Sequence, residues 1–252
     1  MFQAISWAAC GTLFTFLMTA LGAATVFFFA GAPHPRFRQA MLGFAAGVMT
    51  AASVWSLLIP AIHRSQELGF PGWLPPAAGM LLGAVFLTAT DLWLTRLQAG
   101  HFPFPGSRGS ALLAAAITLH NIPEGMAVGL AFALAAGGDH LAGAVALAAG
   151  IGIQNFPEGA AIALPLRQEG FSRRRAFLGG AMSGSVEPIF GVLVVLFAAG
   201  ATPLMPWLLS FSAGAMLYVV AEELIPQAHS RTGTCGFLLG FLIMMTLDIA
   251  LG

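Results

Sequence analysis

The sequence predicts an all-α integral membrane protein of eight transmembrane helices with both termini outside. Three observations lead there. Of 252 residues, 58% are hydrophobic and only 8% charged, with a mean hydropathy of +0.86, whereas a soluble domain carries about 25% charged residues. The apolar residues gather into eight runs, each near the ~20 residues that cross a bilayer. The ten basic residues are all Arg, and with eight spans counted nine of them fall in connections on one side. Arginine-rich connections stay in the cytoplasm.

The first run, 4–30, follows Met1-Phe2-Gln3, which offers no positive segment. It therefore reads as a retained span rather than a cleaved signal peptide. Gly31-Ala32-Pro33-His34-Pro35 ends it, and Arg36 and Arg38 precede the second run, 38–62. Arg64, with Glu67 nearby, is the one arginine on the outer side, before the turn Gly69-Phe70-Pro71-Gly72. The third run, 74–97, and the fourth, 110–136, are joined through Phe102-Pro103-Phe104-Pro105-Gly106, flanked by Arg96 and Arg108. Gly137-Gly138 separates the fourth from the fifth, 141–166. Arg167, Arg173, Arg174 and Arg175 flank Gly170-Phe171-Ser172 before the sixth, 175–200. Arg231 stands between the seventh, 204–228, and the eighth, 234–251. Gly and Pro punctuate these breaks because neither continues a helix well. Every connection is short, so residues 1–252 read as one membrane domain. Net charge is zero and there is no basic arm, which argues against a nucleic-acid partner. Cys10 and Cys235 are spaced as neither a disulfide framework nor a zinc motif.

Two of the runs carry residues a membrane helix normally avoids. His120-Asn121-Ile122-Pro123-Glu124-Gly125 lies in the fourth, and Gln154-Asn155-Phe156-Pro157-Glu158-Gly159 repeats it in the fifth, 34 residues on. Charged groups at membrane depth cost several kcal/mol unless paired or bound to an ion. Asp91, Glu124, Glu158, Glu187, Glu222, Glu223 and Asp248 are such groups, and no arginine stands in mid-span to neutralise them. A bound cation or protonation is the alternative. His120 and Glu124 are four residues apart, as are Gln154 and Glu158, so each pair shares a helix face. Packed together, the two helices assemble carboxylates, one imidazole and amides. With a histidine included, this nitrogen and oxygen set suits a divalent transition metal better than Ca²⁺ or Mg²⁺. Without thiolate, the site is not built to hold its metal permanently. Pro123 and Pro157 each remove a backbone donor and clash one turn back, kinking the helix beside the polar residues. Gly125 and Gly159 allow close helix approach. Asp91 and Asp248, near span ends, read as interfacial anchors or local hydrogen-bonders. Met49 alone reads as packing, and Asp139 and His140 as solvated loop residues.

A second echo joins the second and seventh runs. Ala46-Gly47-Val48-Met49 followed by Ile59-Pro60-Ala61-Ile62-His63 is answered by Ala213-Gly214-Ala215-Met216 followed by Ile225-Pro226-Gln227-Ala228-His229, with one residue less between the halves. In the eight-span count both echoes link helices of opposite direction. They therefore describe inverted repeats, a transporter device with the site near the midplane.

At these motifs the sequence resembles the ZIP (Zrt/Irt-like) family of divalent-metal transporters, closest to its bacterial GufA-like branch. The resemblance covers essentially the whole chain. It implies a 3+2+3 arrangement of helices, a multi-pass place in the inner membrane, and a mid-membrane, often binuclear, metal site. One ion would be held by His120, Glu124, Gln154 and Glu158 with Met49 close by. A second would be held by Asn121, Glu124, Asn155, Glu158 and Glu187. A bundle of helices 1, 4, 5 and 6 would move against a scaffold of 2, 3, 7 and 8, an elevator-like alternating access. The binuclear pattern has Asp where Asn155 stands, which implies a weaker second site. The His-rich loop of relatives is reduced to His101. Glu222-Glu223 replaces a His-Glu pair, and with His229 these could form an exit relay.

The function expected is therefore import of divalent transition metals, Zn²⁺ first, with Cd²⁺, Fe²⁺ and Mn²⁺ as further candidates. No organic cofactor and no enzyme activity are expected. No Gly-rich phosphate-binding loop occurs, so ATP is not the driver. Two other classes share some features. An intramembrane metal-dependent hydrolase would use His, Glu and a metal to activate water, but there is no His-Glu-x-x-His and the histidines are too few. A selective metal channel would share the site. Oligomeric state stays open, a homodimer included.

Overall fold

Every element among the described residues is helical, because in an apolar surrounding a helix satisfies its own backbone groups. The structure, a computed structural model, describes residues 1–28, 34–99, 108–138, 141–200 and 202–251. His101, Asp139 and His140 lie outside the described residues.

In chain order the elements are α1 (Phe2–Ala23) with a 3₁₀ turn Ala24–Phe27, then α2 (Pro35–Ala52), a π-helical segment Ser53–Leu58, and α3 (Ile59–Glu67). α4 (Leu74–Ala99), α5 (Arg108–Ala136) and α6 (Leu141–Gln168) follow. α7 (Arg173–Ser183) and α8 (Val186–Gly200) come next. After a 3₁₀ turn Thr202–Leu204, α9 (Met205–Val219) leads into a second π-helical segment Val220–Leu224, then α10 (Ile225–Ala228) and α11 (Arg231–Leu251). The turns read at Gly69, Gly137-Gly138 and Gly170 terminate helices as expected, while Gly31-Ala32-Pro33 and Phe102-Pro103-Phe104-Pro105-Gly106 lie outside the described residues. Gly69, Gly138 and Gly170 all take positive φ, a backbone that L side chains rarely adopt. Arg64 and Glu67 form an ion pair at 2.8 Å. Cys10 and Cys235 are free and exposed.

Six helical stretches among the described residues are long and apolar enough to cross a membrane: Phe2–Phe27, Pro35–Glu67, Leu74–Trp93, Arg173–Ala198, Met205–Ala228 and Arg231–Ala250. α5 and α6, of 29 and 28 residues, are also long enough to cross. They are the helices that carry the two polar motifs. Neither is broken by its internal proline; α5 continues through Pro123 and α6 through Pro157 and Pro165. The outer faces are apolar, with Leu81, Leu82, Phe86, Leu238 and Leu242 exposed, as suits a hydrocarbon surrounding.

The sixth run departs from the single span 175–200. It breaks at Gly184-Ser185 into α7 and α8. Pro188 has no N–H to offer the carbonyl of Gly184. The Glu187 amide bonds that carbonyl instead, at 3.0 Å, and so leaves the carbonyl of Ser183 without its helical donor. Glu187 is thereby set in the first turn of α8.

Both π-helical segments precede a proline, Pro60 and Pro226, within two residues of their ends. A proline frees the carbonyl four residues back, and an extra residue in the turn absorbs the mismatch. The segments hold six and five residues. That one-residue difference is the one seen between the two sequence echoes.

Packing sorts the helices into two groups. α1 packs on α5, α6, α7 and α8, and α5 on α8. Separately, α2 packs on α11, and α4 on α9. The groups meet where α9 touches α5 and where α2 and α11 touch α6. Glycines set the closest approaches within the first group. A Cβ built on Gly159 would overlap the Thr19 carbonyl oxygen, and one on Gly125 would lie 2.5 Å from that of Glu187. The glycine that ends each motif is thus a backbone contact with α1 or α8.

Candidate metal site

The two motifs meet between α5 and α6, which pack side by side. His120, Asn121, Glu124, Gln154, Asn155, Glu158 and Glu187 are all buried. Four-residue spacing turns His120 and Glu124 to one face of α5, and Gln154 and Glu158 to one face of α6. Gln154 Nε2 donates to Glu124 Oε1 at 2.8 Å, tying the helices together at the carboxylate.

The other amides are held by the wall of the site. Asn121 Nδ2 donates to the Ser183 carbonyl at 3.0 Å, the one left free by the α7–α8 break. Asn155 Nδ2 donates to Glu187 Oε2 at 2.9 Å and to the Thr15 carbonyl at 3.3 Å. Each amide nitrogen is therefore engaged, that of Asn155 twice. What remains unpartnered is Asn121 Oδ1, Glu124 Oε2, Gln154 Oε1 and Asn155 Oδ1. All four are oxygens, three of them amide oxygens that can only accept. Buried acceptors without donors are rare and costly, and a cation satisfies such a set.

The charges agree. Glu158 lies close enough to repel Glu124, Glu187 and Glu223, and Glu124 is also repelled by Glu187. Uncompensated carboxylates inside a membrane protein are expensive, and no arginine reaches this group among the described residues. The one imidazole of the motifs is engaged through Nε2 by a further carboxylate: His120 Nε2 lies 3.2 Å from Glu223 Oε1.

Glu223 belongs to a neighbouring cluster that the sequence reading did not assemble. Ligand atoms of Asp91, His120 and Glu223 all lie within 4.8 Å of one another. Asp91, read in the sequence as an interfacial anchor or local hydrogen-bonder, is half-buried on α4 beside the seventh-run helix. Tyr218, the chain's single tyrosine, hydrogen-bonds to it. The available signal was an acid within an apolar run, at Asp91. His120 thus joins the carboxylates of α5 and α6 to those of α4 and the second π-helical segment.

The other candidates fall elsewhere. Met49 is buried on α2, which packs against α6. Glu222 is exposed on the second π-helical segment. His229 is exposed and lines a separate cavity with Gly43, Ala46 and Phe237 between α2, α10 and α11. Asp248, read as an interfacial anchor or local hydrogen-bonder, instead bonds across elements: Ser56 Oγ of the first π-helical segment donates to its Oδ1 at 2.6 Å.

Comparison with known proteins supplies an independent line. The family model described as ZIP Zinc transporter matches residues 106–248, a stretch that includes both motifs and Glu187. The chain is 38% identical to the zinc transporter ZIP11 of Bos taurus, with 98% of each chain covered. It is 40% identical to the zinc transporter GufA of Myxococcus xanthus, over 84% of this chain and 86% of that protein. It is 38% identical to the zinc transporter ZIPB of Bordetella bronchiseptica, over 98% of this chain and 82% of that one.

Proposed function

The chain belongs to the ZIP zinc transporter family, and from that membership we propose that it imports divalent transition metals through the buried oxygen cluster of α5 and α6. Zn²⁺ is the substrate, and the protein is a transporter rather than an enzyme. The single observation that carries the reading at this site is the set of four unpartnered oxygens, on Asn121, Glu124, Gln154 and Asn155.

In this reading His120, Glu124, Gln154 and Glu158 hold the ion, with Met49 beside them. Glu124 and Glu158 together offset a dication's charge, so loading relieves their mutual repulsion instead of adding a charge to the membrane. Amide oxygens complete the shell without adding charge, which keeps the ion releasable. A histidine makes the set prefer Zn²⁺, Cd²⁺, Fe²⁺ or Mn²⁺ over Ca²⁺ and Mg²⁺. Release passes toward Glu223 and Asp91, with His120 as the link, and on toward Glu222 and His229.

Transport follows alternating access, with α1, α5, α6, α7 and α8 moving as a body against the remaining helices. The division of packing into two groups supports this. Eight spans with both termini outside, in a 3+2+3 arrangement, fit the same plan. At about 1.5 Å per residue, the 29 residues of α5 and the 28 of α6 exceed a hydrocarbon core of about 30 Å despite their polar motifs. The membrane is the bacterial inner membrane.

Purified protein in liposomes tests the function. With a zinc-sensitive dye inside and no nucleotide present, vesicles holding the protein fill with Zn²⁺ well above the rate of empty vesicles, and Ca²⁺ does not compete. Filling no faster than in empty vesicles contradicts the proposal.

A further inference from the structure

Glu187 is the third carboxylate of the cluster, and its surroundings differ from those of the other two. Glu124 keeps one oxygen without a partner. Both Glu187 oxygens already have donors. Oε2 accepts from Asn155 Nδ2 at 2.9 Å, and Oε1 from Thr19 Oγ1 at 3.3 Å. The Thr15 hydroxyl donates to the Thr12 carbonyl at 3.0 Å. Glu187, Asn155, Thr15 and Thr19 are all 0% exposed. The same Asn155 amide also bonds the Thr15 carbonyl at 3.3 Å.

This arrangement does chemically what a cation would otherwise do. A buried carboxylate needs positive charge or several hydrogen-bond donors. Here one threonine hydroxyl of α1 and one amide of α6 supply the donors. The Asn155 side of Glu187 presents N–H, not oxygen, so a cation at Glu187 would have to break that bond and face a donor. An Asp at position 155 would place an oxygen against Glu187, and two facing carboxylates require a cation between them.

We propose that Glu187, Asn155, Thr15 and Thr19 form a hydrogen-bonded clamp that takes the place of a second ion, so the transport site holds a single divalent metal. The inference rests on Glu124 and Glu158 being metal ligands. Glu187 is then a positioning residue. It joins α1, α6 and α8 into one body and aims the amide of Asn155, leaving Asn155 Oδ1 directed away from Glu187. The α7–α8 break contributes by placing Glu187 in the first turn of α8.

The test counts zinc. Protein purified in detergent is equilibrated with Zn²⁺, and bound metal per chain is measured by elemental mass spectrometry. The count for the double variant Glu124→Ala/Glu158→Ala is subtracted, which removes ions on exposed histidines and carboxylates. The wild type shows a difference of one ion per chain. Asn155→Asp raises it to two, and Asn155→Asp/Glu187→Gln returns it to one. A wild-type difference of two overturns the clamp. A difference of two for Asn155→Asp/Glu187→Gln also overturns it, because Glu187 would then not be the ligand that Asn155 masks. A wild-type difference of zero overturns instead the assignment of Glu124 and Glu158, on which the clamp depends. The wild-type count decides even where Asn155→Asp does not fold.

Discussion

Glu124→Gln and Glu158→Gln each reduce Zn²⁺ uptake by about 100-fold or more, while the metal-free protein melts at or above the wild-type temperature. Both halves follow from the same geometry. Replacing even a residue that only supports a metal ligand typically costs 10–100-fold, and these two carboxylates would contact the ion itself. Without a metal, however, Glu124 is repelled by Glu158 and Glu187. Burying like charges without a partner opposes folding. A glutamine of the same shape removes the charge and still accepts the bond from Gln154 Nε2 at position 124, which now spans 2.8 Å. Uptake in liposomes and thermal unfolding in detergent with chelator together check this. A carboxylate kept for structure would give the opposite signature, a lower melting temperature with uptake retained. Alanine at either position loses uptake too, but adds a cavity and so separates the effects less cleanly.

Gly125→Ala and Gly159→Ala are expected to lose uptake through packing. The added methyl at Gly159 meets the backbone carbonyl of Thr19, and that at Gly125 the backbone of Glu187. Backbone cannot turn aside as a side chain can, so α1 or α8 must move away. Overpacking of this kind typically costs about 1–3 kcal/mol. The displacement also strains the clamp, because Thr19 and Glu187 are members of it. Gly179→Ala is the control: its methyl meets only the end of the Leu166 side chain, which can rotate. Melting temperatures therefore fall by several degrees for the two motif variants and little for Gly179→Ala. Equal melting of all three would remove the packing explanation for the motif glycines.

Much of the site was legible because membrane helices restrict what a polar residue can be for. The Asn-x-Pro-Glu-Gly repeat marked α5 and α6 as the pair that meets, and four-residue spacing put His120 with Glu124 and Gln154 with Glu158. The glycines that end the motifs were read as close contacts, and their backbone neighbours bear this out. Three features were harder to see. The sixth run reads as continuous in apolarity, and its break depends on a local trade: Pro188 withholds a donor, Gly184 takes the amide of Glu187, and Ser183 passes to Asn121. The π-helical segments left a trace only as the one-residue mismatch between echoes around Pro60 and Pro226. Asp91 could not be placed beside His120 and Glu223, since that contact depends on how α4, α5 and the seventh-run helix pack. Sequence spacing fixes which residues share a helix face, not which faces meet.

The most direct test is anomalous scattering at the zinc edge from crystals of the metal-loaded protein. The reading of the cluster as a transport site predicts one strong peak between Glu124 and Glu158, within about 2.0–2.2 Å of their oxygens. Gln154 lies in the same shell, and Glu187 remains bonded to Asn155 and Thr19. Zinc found only at Asp91 and Glu223 or at His229, with the space between Glu124 and Glu158 empty of metal, would contradict it.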